Sequence, residues 1–213
     1  MHIRLQEIIP TYFEKAQTTD SEIWGGEISF NKGEHIHIVA PSGSGKTSLI
    51  HFIYGLRKDY EGTISYLDEN IKKFSLEKFS TFRQKNLSIV FQDLRLFTNQ
   101  TVSNNIELKR QLNPYHPAEK IEKMAERLGI VNKLNRLAST CSYGEQQRIA
   151  IIRSLMQPFD FLLLDEPFSN LDEKNRNKAF ELINEECEVR NASMIFADLK
   201  ELDFFKGERI LKL

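Results

Sequence analysis

The chain has 213 residues, with 29 Lys and Arg against 30 Asp and Glu and a net charge of -1 at pH 7. That length suits one domain, or one domain with an inserted lobe, and the charge balance argues against a nucleic-acid partner, which calls for a basic excess or stripe. Cys141 and Cys187 lie far apart and fit a reducing cytosolic setting, Met1 to Leu5 shows no signal peptide, and no run nears the ~18 apolar residues of a bilayer span, so membrane work needs another chain to supply the span.

In residues 1–40 apolar and polar residues alternate in short runs: Ile3/Leu5/Ile9, Ile28/Phe30 and Ile36/Ile38. Asn31-Lys32-Gly33-Glu34 reads as a hairpin turn between the last two, giving a small antiparallel sheet. Tyr12-Phe13 stands early in this region; its rings either stack on an adenine or cover a sheet edge, and the sequence leaves both readings open.

Next come the strand His35 to Val39, the run Ala40-Pro41-Ser42-Gly43-Ser44-Gly45-Lys46-Thr47, and an apolar helix from Lys46 through Ser48 to the stop residue Gly55. Strand, glycine-rich loop and Gly-Lys-Thr opening a helix make the context of a phosphate-binding loop. Glycines turn successive N–H groups inward around an anion, and the helix N-terminus adds its positive end. Lys46 is placed for the β- and γ-phosphates and Thr47 for Mg²⁺. Ala40 stands where the pattern has its first glycine, which is tolerable at a strand end if φ stays negative. An ordinary Gly/Ser turn does not account for the placing of Gly-Lys-Thr. The chain is expected to bind a nucleoside triphosphate.

Gly55 to Gly62 reads as a loop and Thr63 to Tyr66 as a strand. Residues 70–85 interleave Lys and Arg with Phe; nucleic acid or anionic lipid is one reading, but the neutral whole favours a solvated amphipathic helix. Leu87 to Phe91 is a strand ended by Gln92-Asp93, and residues 93–140 turn helical, with Thr101 capping one helix and Pro117 and Gly129 bounding another. That stretch is expected to be a subdomain inserted into an α/β core.

Ser142-Tyr143-Gly144-Glu145 forms a capping box at the start of a helix. Glycine in a first turn costs ~1 kcal/mol relative to alanine, so Gly144 points to a bare backbone and a second anion site. Phe161 to Glu166 is an apolar strand ending in two carboxylates, as a central parallel strand would, and ligands gather at such ends. Asp165 is expected to hold Mg²⁺ and Glu166 to take a proton from an attacking water. Capping by these acids does not explain both, because Pro167 follows and the next helix starts near Asp172. Strands at Ser193 to Ala197 and Arg209 to Leu213 complete an α/β chain with a largely parallel sheet.

Taken together, the chain resembles the ATP-binding subunit of an ABC transporter over its whole length. Tyr12 falls where the family has its adenine-stacking aromatic, and Ala40 to Thr47 resembles Walker A. Gln92 resembles the Q-loop glutamine, and Cys141 to Arg148 the LSGGQ signature. Leu162 to Glu166 resembles Walker B with the catalytic glutamate, and Ser169 to Asp172 the D-loop. Motifs in this order and register are specific. The short chain, Phe91-Gln92-Asp93 and the lack of a C-terminal extension look most like the lipoprotein-release and cell-division branch. The resemblance implies a single domain over 1–213: a P-loop NTPase core of mainly parallel sheet (1–92 and 141–213) with an N-terminal antiparallel β subdomain, and a helical signature subdomain over 93–140. It implies ATP and Mg²⁺ as cofactors. Tyr12, Ser42 to Ser48, Ser142, Gly144 and Glu145 bind nucleotide; Thr47, Gln92 and Asp165 hold the metal; Glu166, Lys46 and Gln92 serve catalysis.

It further implies two copies, identical or paired with a second subunit, set head to tail. Ser142 and the Gly144 backbone would then bind the γ-phosphate in trans, and transmembrane permease subunits would hold the pair on the cytoplasmic face of the membrane. Soluble repair or translation members fit less well, because residues 93–140 form only a short lobe and the chain carries one cassette. Three departures stand out: Cys141 for leucine, Tyr143 for the first signature glycine, whose ring must avoid the phosphate, and Leu199 where the family has its switch histidine. No histidine follows His116. Slow hydrolysis is therefore expected, with an ATP-gated dimer as the alternative, and Asp198 is expected to face away from the phosphates.

Overall fold

The computed structural model describes residues 1–14, 18, 20–201 and 209–213. Its strands form two sheets. β1 (His2–Pro10), β2 (Glu27–Asn31), β4 (Tyr60–Tyr66) and β5 (Glu69–Asn70) make an antiparallel sheet in the order β2-β1-β4-β5. β3 (His35–Val39), β6 (Leu87–Val90), β7 (Phe161–Asp165), β8 (Ser193–Asp198) and β9 (Arg209–Lys212) make a parallel sheet in the order β6-β7-β8-β3-β9.

Two expectations need correcting here. Asn31 to Glu34 does turn, with the Glu34 amide donating to the Asn31 carbonyl at 3.1 Å, but β2 and β3 are not a hairpin. β2 alternates exposed and buried positions and joins β1, whereas the three central residues of β3 are all buried and it lies between β8 and β9. A strand covered on both faces belongs in the parallel sheet, and one with a wet face does not. β4 also starts three residues before the expected Thr63, running through Gly62. The pairing of β1 with β4 shifts register between Gln6 and Ile9, Glu7 has φ 51°, and a Cβ on Gly62 would come within 2.3 Å of the Glu7 carbonyl oxygen. A glycine inside a strand here marks a bulge.

Helices cover the parallel sheet as the apolar periodicities dictate. α1 (Lys46–Ile53) ends two residues before Gly55, whose φ is 69°. α2 (Leu76–Lys85) is capped by Ser75, and α3 (Val102–Leu112) by Thr101, whose hydroxyl accepts from the Asn104 amide at 3.1 Å. α4 (Glu119–Arg127) ends before Gly129, α5 (Tyr143–Leu155) opens on the Ser142–Glu145 capping box, and Asp172 caps α6 (Glu173–Arg190).

The two-residue period of the central strands splits the core. Phe161 and Leu163 of β7 and Ile195 and Ala197 of β8 face α1 and the antiparallel sheet. Leu162, Leu164, Met194 and Phe196 face the layer of α3, α4, α5 and α6. All eight are 0 or 1% exposed. Burying each large side chain is worth roughly 1.5–3 kcal/mol, so the alternation fixes which face each layer covers and holds the strand ends in register.

Candidate nucleotide site

The carboxyl ends of β3, β6, β7 and β8 converge because parallel register leaves no choice: Val39 stands opposite Asp198, Asp165 opposite Ala197, and Val90 opposite Leu164. The loop after β3 wraps the start of α1. Gly43 and Gly45 have φ of 83° and 92°, and α1 has no side-chain cap, so its first amides point into the loop. A Cβ on Gly45 would lie 2.9 Å from the Phe13 ring and 3.0 Å from that of Trp24, so both geometry and packing demand glycine there. Trp24 Nε1 donates to the Ser44 carbonyl at 3.1 Å and Ser44 Oγ to the Pro41 carbonyl at 2.8 Å, bracing the loop from outside.

Lys46 is 5% exposed, and its Nζ donates to the Ala40 and Pro41 carbonyls at 2.8 and 2.9 Å, with Glu166 Oε1 3.7 Å away. Thr47 Oγ1 donates to Gln92 Oε1 at 3.1 Å, and Gln92 Nε2 to Glu166 Oε2 at 3.4 Å. Glu166 itself has φ 46°, left-handed for a residue with a side chain. Tyr12, Ser42, Gly43, Gly45, Lys46, Thr47, Ser48, Gln92 and Glu166 line one cleft of about 280 Å³. The Tyr12 hydroxyl meets the Ser48 hydroxyl, and the Arg57 guanidinium lies 5.1 Å from the centre of the Tyr12 ring.

Asp165 is wholly buried and neither of its carboxylate oxygens has a hydrogen-bond partner. Burial pushes its pKa up to about 6; the Thr47 hydroxyl nearby and Lys46 oppose the rise, and Glu166 adds to it. An unpaired buried carboxylate is costly, and with Thr47 and Gln92 it makes an all-oxygen donor set suited to a hard cation such as Mg²⁺.

Asp198 is not among the residues that line the cleft. It is half-buried at the end of β8, its Oδ1 accepts from the Leu199 amide at 2.6 Å, and burial raises its pKa while Glu166 and Lys46 both act on it electrostatically. Leu199 is 44% exposed.

Ser142, Gly144 and Glu145 do not line the cleft. Ser142 Oγ accepts from the Glu145 amide at 3.3 Å, and Glu145 Oε2 accepts from the Ser142 amide at 2.7 Å. A Cβ on Gly144 would lie 2.8 Å from the Asn170 carbonyl oxygen, so contact within the chain is itself a reason for glycine, beside the phosphate site that the sequence suggests. The sequence reading missed Gln147. It is 1% exposed, and its amide donates to the Glu166 carbonyl at 3.1 Å and the Ser169 hydroxyl at 3.4 Å and accepts from the Asn170 amide at 3.1 Å. A glutamine on the buried stripe of an apolar helix was the available signal.

A family model described as "ABC transporter" matches residues 25–169, about two thirds of the chain. The chain belongs to the ABC transporter family. As an ATP-binding cassette of that family it is an ATPase of the kind that energises transport. Among its relatives, the molybdate/tungstate import ATP-binding protein WtpC of Pyrococcus horikoshii is 42% identical over 157 residues, covering 71% of this cassette and 44% of WtpC. The chain thus spans less than half the length of that protein. The lipoprotein-releasing system ATP-binding protein LolD of Legionella pneumophila is 29% identical over 211 residues, 98% of this cassette and 92% of LolD. By their printed names these relatives serve both import and lipoprotein release. The solved cassette MJ0796, as a dimer in a post-hydrolysis state bound to ADP and Pi, superposes with a TM-score of 0.79 at 25% identity, over 93% of this chain and 88% of that one.

Proposed function

We propose that this cassette hydrolyses Mg·ATP slowly in a head-to-tail dimer docked on permease subunits at the cytoplasmic face of a membrane. The observation that carries the reading is the buried, unpaired Asp165 beside the linked Thr47, Gln92 and Glu166, with Lys46 held by carbonyls it can exchange for phosphates. Asp165, Thr47 and Gln92 would hold Mg²⁺, which when bound supplies neutralising charge to the β- and γ-phosphates. The remaining work falls to the chain. Amides of Gly43, Gly45 and the first turn of α1 cradle the phosphates, Ser42, Ser44 and Ser48 border them, and Lys46 meets the γ-phosphate. Tyr12 offers its ring to the adenine. Glu166 orients the water and accepts its proton, and Gln92 holds Glu166. The capped start of α5 from the second copy, with Ser142, Gly144 and Glu145, closes over the γ-phosphate.

Phosphoryl transfer rests on positioning and electrostatics, so replacing the switch histidine by Leu199 slows it by ~10²–10³, the cost of one lost oxyanion-type donor, without abolishing it. The docking face is the lobe beyond Gln92. Phe91, Phe97, Leu108 and Leu112 line a groove of about 320 Å³, of which Phe97, Leu108 and Leu112 are exposed. Among the described residues no helix is long and apolar enough to cross a membrane.

Steady-state ATPase rates with the membrane partner present test the reading. Glu166→Gln abolishes turnover and Leu199→His raises it. A parent rate of about 1–10 s⁻¹, ordinary for enzymes, refutes slow hydrolysis, and undiminished Glu166→Gln turnover refutes the role of Glu166. The second reading, an ATP-gated dimer without hydrolysis, rests on Leu199 and holds if the parent itself has no turnover.

A further inference from the structure

Tyr143 departs from the signature pattern, and on sequence grounds its ring has only to keep clear of a phosphate. The structure gives it a contact of its own: its hydroxyl donates to the Gln92 carbonyl of the same chain at 3.2 Å. One helical turn further, on the same face of α5, Gln147 donates to the Glu166 carbonyl at 3.1 Å and accepts from the Asn170 amide at 3.1 Å. These two helix positions therefore touch the two residues that the proposed mechanism needs for hydrolysis. Those residues are themselves joined, Gln92 Nε2 to Glu166 Oε2 at 3.4 Å.

We infer that Tyr143 and Gln147 are positioning residues through which α5 holds Gln92 and Glu166 of its own chain in their working geometry. The inference rests on the hydrolytic reading of Glu166 given above.

Three physical features support it. α5 is a stiff bar: a capping box closes its start, and Ile149, Ala150, Ile151, Ile152 and Leu155 anchor it in the core at 0 or 1% exposure. Glu166 occupies a left-handed conformation at φ 46°, which a side-chain-bearing residue keeps only where its surroundings over-determine it. Those surroundings include the Ala197 carbonyl, which accepts from the Glu166 amide at 2.9 Å, and two donors to the Glu166 carbonyl, the Gln147 side chain at 3.1 Å and the Ser169 amide at 3.4 Å. Finally, Gln147 is 1% exposed, so neither end of its amide can exchange its partners for water. In a head-to-tail dimer the start of α5 lies on the other copy's nucleotide. The same helix would then pass a change at that nucleotide to the Gln92–Glu166 pair of its own site, through two hydrogen bonds one turn apart.

The test measures kcat, ATP affinity and Tm on the full chain for Tyr143→Phe, Gln147→Met and, as a control, Glu166→Gln. Tyr143→Phe removes only an exposed hydroxyl and should leave Tm and ATP affinity at parent values while kcat falls about three- to ten-fold, the worth of one hydrogen bond. Gln147→Met should lower kcat about ten- to a hundred-fold, by more than any change in ATP affinity. Parent kcat in Tyr143→Phe overturns the inference. So does a Gln147→Met kcat that falls only in step with affinity and Tm, since that marks a purely structural glutamine. Undiminished turnover in Glu166→Gln overturns the hydrolytic reading itself, whereas its loss beside an unaffected Tyr143→Phe overturns this inference alone.

Discussion

Asp165→Asn should stabilise the nucleotide-free, metal-free cassette at neutral pH. The parent carboxyl is wholly buried without a hydrogen-bond partner, and its pKa is pushed from 3.8 to about 6, first by burial. Between those values the folded chain binds more protons than the unfolded one. This group's stabilising contribution is therefore complete below 3.8 and is lost as pH rises through about 6. A rise of about two units at 1.36 kcal/mol each sets the loss at roughly 2–3 kcal/mol at pH 7.5. The near-isosteric amide carries no charge and avoids it. For a chain of this length, at about 2–4 °C per kcal/mol, that is about 4–12 °C in Tm. The assay is thermal unfolding in EDTA at fixed ionic strength from pH 4 to 8. Asp165→Asn should melt higher than the parent at pH 7.5, with the gap closing towards pH 4. Adding Mg·ATP should reverse the order, because ligand binding to the native state stabilises the parent while the variant has lost a metal ligand. A variant that melts below the parent in EDTA at pH 7.5, or a gap that does not change with pH, refutes the reasoning.

Lys46→Ala removes a charged phosphate contact of a kind worth ~1.5–3 kcal/mol, so ATP affinity should fall about ten-fold or more; equilibrium titration showing parent affinity refutes the loop assignment. Leu108→Asp places a charge in the exposed groove beside Leu112, at a position 44% exposed where the fold tolerates it, and should abolish co-purification with the membrane subunits while leaving Tm unchanged. Retained co-purification removes that groove as the docking face.

Local chemistry made much of this protein readable from its sequence. The glycine-rich loop between an apolar strand and Lys46, the Thr101 cap, the Ser142–Glu145 box and Asp172 before α6 each follow from interactions within a few residues, and each stands where the pattern puts it. The apolar run ending in Asp165 likewise announced a central strand with its carboxylates at the ligand end. What the sequence could not decide is which distant segments meet. Asn31 to Glu34 has the chemistry of a turn, but only the burial of both faces of β3 assigns that strand to the parallel sheet rather than to a hairpin. Tyr143 and Gln147 belong to the same class: their partners, Gln92 and Glu166, are 51 and 19 residues away in sequence, and packing of α5 within the helical layer against the sheet is what brings them within hydrogen-bond reach. Short-range hydrogen bonding and hydrophobic period are written residue by residue, whereas long-range register is set by the whole core at once.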